Sequence, residues 1–161
     1  MKKLKVYLDT SAIGYLDEQS HPSEMADMLT FWDMAKQGDF EIAISEVTLA
    51  ELYDNKNSDK VSALMAYLSQ INYETVELSD EINEIADAIK NAGILVSDKC
   101  KDDRNHIGCA IISGSDVLLS YNFKHLANVR TVNGVRGIST LKGYCNINIV
   151  PASMLIEKGD E

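Results

Sequence analysis

The chain has 161 residues, 45% of them hydrophobic and 25% charged, with a formal net charge of −10 at pH 7; that is room for one domain with its own core and the composition of an ordinary soluble globular protein. No apolar run approaches the roughly 20 residues that cross a bilayer. The N-terminal lysines lead straight into a strand with no apolar leader behind them, so a cytoplasmic protein without membrane contact is expected. Cys100, Cys109 and Cys145 are an odd number without C-x-x-C spacing. Neither a disulfide framework nor a zinc site is therefore expected, and reduced thiols fit better.

In Leu4-Lys5-Val6-Tyr7-Leu8 the apolar residues alternate, and the run stops on Asp9-Thr10-Ser11. This reads as a first strand that delivers Asp9 to its carboxyl end, where open α/β sheets bind ligands. Asp, Thr and Ser are also favoured helix N-caps, and the stretch by itself leaves both roles open. Ser23 can cap a helix with Met25, Met28, Leu29, Trp32 and Ala35 on its apolar stripe, stopped by Gly38. Phe40–Ile44 alternates as a strand. Ser45–Tyr53 reads as a strand giving way to a helix that carries Glu51, and residues 54–59 form a polar loop.

A helix over Lys60–Ile71 and a strand at Thr75–Leu78 come next. A helix then opens at Ser79, buries Ile82, Ile85, Ala86 and Ile89, and closes at Gly93. Lys99–Asp103 leads into a helix containing His106, Ile107 and Cys109, which ends at Gly114. Cys109 is expected to be a buried structural thiol. Asp116–Asn122 reads as a buried strand ending on polar groups, and Phe123–Leu126 as the beginning of a helical turn. Thr131–Gly143 holds three glycines and few large apolar groups, so a loop is expected. Asn146–Val150 is a last strand, Pro151 can start a short helix, and the acidic tail over residues 157–161 is expected to fray. Strands alternate with helices throughout. The expectation is one α/β domain over residues 1–156, a mainly parallel sheet flanked by helices.

The net charge argues against simple adhesion to nucleic acid, but its distribution qualifies that. Between Lys99 and Cys145 stand seven basic and three acidic residues, a balance of +4 against −14 for the remainder. This is either a substrate-facing sector or an ordinary solvated surface. Asp9 and Asn122 each end an expected strand, and Glu51 and Asp103 lie in helices that follow connections. In a parallel sheet such positions share one edge. Three carboxylates and an amide are hard oxygen donors, suited to Mg²⁺ or Mn²⁺ rather than zinc. Buried together without a cation, three carboxylates would force one to take up a proton.

The segments around these four residues resemble the PIN-domain family, a nuclease-like fold that includes the VapC-type toxins of toxin–antitoxin pairs. The resemblance lies in Leu8-Asp9-Thr10-Ser11, in Thr48-Leu49-Ala50-Glu51-Leu52, in Asp103-Arg104-Asn105-His106-Ile107-Gly108 beside the family's Asp-x-x-His-Ile-Ala, and in Asp116–Leu126 as the late strand with its polar end. These segments span nearly the whole chain in the family's order.

The resemblance implies Mg²⁺- or Mn²⁺-dependent hydrolysis of phosphodiester bonds, of RNA before single-stranded DNA. Asp9, Glu51 and Asp103 would be the metal carboxylates. Asn122 would complete the catalytic set where many members carry a further Asp, and an amide brings no charge to offset a second cation. Ser11 and Ser120 are expected to hydrogen-bond a carboxylate or a water at the ion. Lys101, Arg104, Lys124 and Arg130 are expected to hold the substrate backbone, a role that needs charge more than base-specific geometry. An antitoxin and a second copy of the chain are the protein partners implied.

Asp102 is an alternative ligand to Asp103, which has the family's spacing to His106. His106 is expected to pack and hydrogen-bond nearby, and His125 to be structural or a phosphate contact. The alternative function is a PIN-like module that binds nucleic acid or protein and cuts poorly. Phosphoryl transfer through an aspartyl phosphate would want a second Asp where Ser11 stands.

Overall fold

A computed structural model of the chain describes residues 2–156; the tail expected to fray lies outside the described residues. Its centre is β1 (Leu4–Leu8), of which Val6, Tyr7 and Leu8 are fully buried. One parallel sheet in the order β3-β2-β1-β4-β5 surrounds it, with β2 Phe40–Ser45, β3 Glu74–Val76, β4 Val117–Leu119 and β5 Asn148–Val150. Val6 aligns with Ile42 on one side and Val117 on the other, and Leu8 with Leu119. The chain grows outward from β1 through β2 and β3, then returns to β1's other side at β4. That reversal puts the switch point, where open sheets form their crevice, at the carboxyl ends of β1 and β4.

Helices cover both faces: α1 Thr10–Gly14, α2 Pro22–Lys36, α3 Glu46–Tyr53, α4 Ser58–Leu68, α5 Asp80–Asn91, α6 Lys101–Ile112 and α7 Val129–Lys142. The period-2 alternation of the strands sorts their side chains between two cores. Val6, Leu8, Ile44, Val117 and Leu119 pack with Phe31 and Trp32 of α2 and Leu64 and Leu68 of α4. Tyr7, Ala43, Leu118 and Ile149 face the opposite way, against Ile82, Ile85 and Ile89 of α5, Ile107 and Ala110 of α6, and Val135 and Ile138 of α7. The expected α/β architecture is the one found. No helix of the described residues is long and apolar enough to cross a membrane.

Three local expectations are corrected. The segment Thr131–Gly143 is the helix α7, not a loop. Asn128 caps it through the Thr131 N–H, Gly143 closes it in the left-handed conformation at φ 78°, and Thr131, Val135, Ile138 and Ser139 form its buried stripe. Gly134 serves close packing there, since a Cβ would stand 1.9 Å from Ile94 Cδ1. Second, α2 begins at Pro22 with His21 in the cap position, because proline is suited to the first helical position. Third, β4 stops at Leu119, and beyond it the Ser120 side chain meets Asp9 and the Asn122 side chain meets Asp103.

Candidate functional site

Asp9 follows β1 directly and has both of the roles open to it in the sequence. Its Oδ1 caps α1 by accepting from the Ala12 N–H at 2.9 Å. The carboxylate also accepts from Ser11 Oγ at 2.7 Å and from Ser120 Oγ, across on the end of β4, at 2.5 Å. Ser11 Oγ accepts in turn from the Tyr121 N–H and Ser120 Oγ from the Asn122 N–H, each at 3.0 Å. One carboxylate thus ties together the carboxyl ends of the two central strands. Burial pushes the Asp9 carboxyl above its ordinary range, although the His106 charge and the three hydrogen bonds oppose the shift.

Glu51 is delivered by α3, whose start is fixed by a capping box between Ser45 and Thr48. Its Oε1 accepts from Thr10 Oγ1 at 2.8 Å and lies 2.6 Å from His106 Nε2. The other ring nitrogen of His106 lies 2.7 Å from the Tyr7 hydroxyl, which donates to Ser45 Oγ at 2.7 Å. With its own proton given to Ser45, Tyr7 accepts from His106 Nδ1. His106 then carries a proton on both nitrogens, an assignment that follows from the network. Burial disfavours that charge, but the Glu51 hydrogen bond and the charges of Asp9, Glu51 and Asp103 outweigh it and raise the pKa. Burial likewise works against ionised Glu51, and the hydrogen bond and charge of His106, with Thr10, overcome it and hold the carboxyl below its usual range.

Asp103 sits in the first turn of α6, where a carboxylate favours the helix dipole. Its side chain is 18% exposed, with Oδ2 3.0 Å from His125 Nδ1 and Oδ1 accepting from Asn122 Nδ2 at 3.4 Å. Burial raises its pKa, the positive charges of His106 and His125 oppose that, and the charge of Asp9 adds to it. The neighbouring Asp102 is exposed and lines an outer cleft with Glu51 and Lys101. Asn122 stands at the site as a brace: its amide nitrogen holds Asp103 and its Oδ1 accepts from the His125 N–H at 3.1 Å.

The expected cations separate into three places. Lys124 and Arg130 are exposed and line one cleft of ≈ 350 Å³ with His125, Asn128 and Ser97. Lys101 lines a separate cleft of ≈ 390 Å³ that includes Glu51 and Asp102. Arg104 leaves the set. It is buried, and its Nη1 donates to the carbonyls of Leu95 and Ser97. A guanidinium that must be satisfied inside the fold holds that segment, where Leu95 takes a positive φ of 51°, and is not free to meet a phosphate.

Asp9, Glu51 and Asp103 surround His106 without closing into one compact ligand shell. Among the described residues, the one cluster of three His, Cys, Asp or Glu ligand atoms within 4.8 Å of one another is Cys100, Asp103 and His125. The oxygen donors still fit Mg²⁺ or Mn²⁺, because Mg²⁺ keeps several waters and is held by only one or two carboxylates. Burial of Asp9 raises its carboxyl pKa despite the His106 charge and three hydrogen bonds, and a cation beside it would favour the ionised form further. The contacts that Thr10, Tyr7 and Cys100 make at the site have no signal in the sequence. Thr10 follows the strand-ending Asp, but its service to Glu51 depends on how α1 meets α3. Tyr7 gives no sign because alternation in β1 points it away from the neighbouring apolar pair.

No protein-family model matches the sequence, and no curated protein matches it. Comparison of the fold with solved structures gives clear likenesses. A chain of VapBC2 from Rickettsia felis, bound to a DNA fragment from the promoter, is similar with a TM-score of 0.54 at 19% identity, over 91% of this chain and 97% of that one. A chain of VapBC-1 from nontypeable Haemophilus influenzae is similar with a TM-score of 0.56 at 16% identity, over 93% and 99%. The chain therefore has the PIN-type fold of VapC-like proteins, along essentially the whole length of each.

Proposed function

We propose that this protein is a metal-dependent endoribonuclease that hydrolyses RNA phosphodiester bonds with Mg²⁺ or Mn²⁺, acting as the toxin of a toxin–antitoxin pair. The observation that carries the reading is the gathering of Asp9, Glu51 and Asp103 at the switch point of the sheet, with Glu51 hydrogen-bonded to His106 and the His106 pKa raised by all three carboxylates. Asp9, Glu51 and Asp103 would hold the ion. A divalent cation supplies activation of water and charge stabilisation at a phosphoryl group.

The residues of the chain have distinct tasks in this reading. Ser11 and Ser120 fix the Asp9 carboxylate from both sides, leaving about one of its roughly four lone-pair positions for a further contact. Asn122 and His125 orient Asp103, and Thr10 with His106 orients Glu51. Lys124 and Arg130 on one side and Lys101 on the other would hold the RNA backbone across the site. An antitoxin partner belongs to this reading and is supported by the likeness in fold to VapBC chains. Pairing of two copies, which would lengthen a shallow groove, belongs to the same reading and is checked by sedimentation of the purified protein.

The test is cleavage of structured RNAs and single-stranded DNAs in Mn²⁺ or Mg²⁺ against EDTA, with Asp9→Asn purified identically. RNA cutting that needs the metal and is lost in the variant is expected. Equal cutting by both proteins would remove Asp9 from the chemistry.

A second reading, a binding module that cuts poorly, is favoured by one observation: both oxygens of Asp103 are already engaged, by Asn122 and His125. RNA binding that persists in EDTA with no turnover in either metal would select it.

A further inference from the structure

Beside the oxygen donors lies a cluster of different chemistry. Cys100 ends the short 3₁₀ turn Asp98–Cys100 and immediately precedes α6, so it stands one helical turn before Asp103. His125 arrives from the turn after β4. Cys100 Sγ, an Asp103 carboxylate oxygen and a His125 ring nitrogen all lie within 4.8 Å of one another, and Asp103 Oδ2 and His125 Nδ1 are 3.0 Å apart. Around a tetrahedral zinc ion with bonds of ~2.0–2.3 Å, ligand atoms stand about 3.3–3.6 Å from each other. Small side-chain movements would therefore suffice.

We propose that Cys100, Asp103 and His125 form a Zn²⁺ site, and that zinc bound there withdraws Asp103 from the oxygen-donor site and switches it off. The second clause rests on the nuclease reading; the first does not. A thiolate and an imidazole select a softer ion than Mg²⁺ or Mn²⁺, and zinc binds nitrogen and sulfur donors more tightly than manganese does. On binding, the Cys100 thiol gives its proton to solvent, and His125 binds through Nδ1 with its ring proton on Nε2. Thiolate, carboxylate and dication then sum to neutrality, which suits a cluster whose cysteine is buried. Three protein ligands leave one position for water.

The supporting contacts are already made. Asn122 holds Asp103 Oδ1 and the His125 N–H, and Thr131 Oγ1 donates to the His125 carbonyl at 2.7 Å. Such outer contacts orient metal ligands. The cleft lined by Cys100, His125, Lys124 and Arg130 gives the ion access from solvent. The Cys spacing carries no sign of this site, because the fold alone brings Cys100 to His125.

Metal-free, reduced protein is titrated with Co²⁺, whose visible spectrum reports a thiolate ligand, and then with Zn²⁺ against a chromophoric chelator. One equivalent with a thiolate-to-metal band is expected. Loss of a supporting contact typically costs ~10–100-fold in affinity, so losing a ligand in Cys100→Ser or His125→Gln should cost about 100-fold or more. Glu51→Gln and Cys145→Ser should bind as the wild type does. His125 lies in a half-buried turn, so its variant carries the test if Cys100→Ser does not fold. Absence of stoichiometric Zn²⁺, a thiolate band that survives Cys100→Ser, or its loss in Cys145→Ser would overturn the site. One equivalent of Zn²⁺ should stop Mn²⁺-dependent cleavage by the wild type and spare Cys100→Ser. Cleavage that ignores bound zinc would overturn the switch. Zinc uptake in a protein that never cleaves would uphold the site while refuting the nuclease.

Discussion

His106 Nε2 meets Glu51 Oε1 at 2.6 Å while His106 Nδ1 meets the Tyr7 hydroxyl at 2.7 Å, so one imidazole joins the central strand to the helix that carries Glu51. The pair is asymmetric: the His106 side chain is 3% exposed and that of Glu51 35%. His106 is buried with its pKa raised by Asp9, Glu51 and Asp103, and its protonated form limits the repulsion among them. Replacing it with leucine leaves the Tyr7 hydroxyl and Glu51 short of a partner, which should cost about 1–3 kcal/mol of stability. Urea unfolding checks that figure. Cleavage in saturating Mn²⁺ should fall ~10–100-fold, as when a contact orienting a metal ligand is lost.

Asp9→Asn should separate stability from activity. Burial raises the Asp9 carboxyl pKa, so its ionised form is destabilised in the native state relative to the unfolded chain. An amide keeps an oxygen for the Ala12 N–H and removes the charge. The metal-free variant should therefore be more stable than the wild type at neutral pH, within the ~0.5–2 kcal/mol typical of relieving a strained functional site. It should also have lost metal-dependent cleavage. Thermal unfolding in EDTA provides the stability comparison, and a variant less stable than the wild type would contradict the charge argument.

Much of this arrangement was legible in the chain because its cues are local. Alternation in Leu4–Leu8 and the abrupt stop at Asp9 identify the strand and its carboxyl end, and Ser79 and Gly93 bracket α5 through capping chemistry. Two kinds of feature were not legible. The helix α7 carries Gly134 and Gly137, whose low helix propensity points to a loop, yet the packing of Val135 and Ile138 and the close approach of Ile94 to Gly134 decide the matter. The meeting of Cys100 and His125, and the loss of Arg104 to the Leu95 and Ser97 carbonyls, depend on how distant segments dock. Residue type shows that Arg104 is charged but not that the charge is spent inside.

The cations should divide accordingly. Arg104→Ala removes a charged donor from two carbonyls and should cost ~1.5–3 kcal/mol of stability. Lys124→Ala with Arg130→Ala changes exposed side chains and should leave stability nearly unaltered. This double variant should bind RNA more weakly, with the slope of log K against log salt less steep by about 0.7 for each lost phosphate contact. Fluorescence anisotropy across a salt series measures this, and an unchanged slope would take both residues out of the RNA path.

Cys109 provides the pH test, through a buried thiol that is not one of the proposed metal ligands. Burial pushes its thiol from an ordinary 9.0 up to about 11, with Ser45 and Tyr7 hydrogen bonding in opposition. The folded protein therefore keeps this proton through a range in which the unfolded chain releases it. A raised acid pKa means that stability is intact below about pH 9 and declines as pH rises towards 11, on the order of 2 kcal/mol for this group. Cys109→Ala should be less stable at neutral pH because it leaves a small cavity, but its stability should fall less steeply between those two values. Urea unfolding at intervals over that range measures the slope. Parallel curves for the two proteins would show that Cys109 does not govern the alkaline limb.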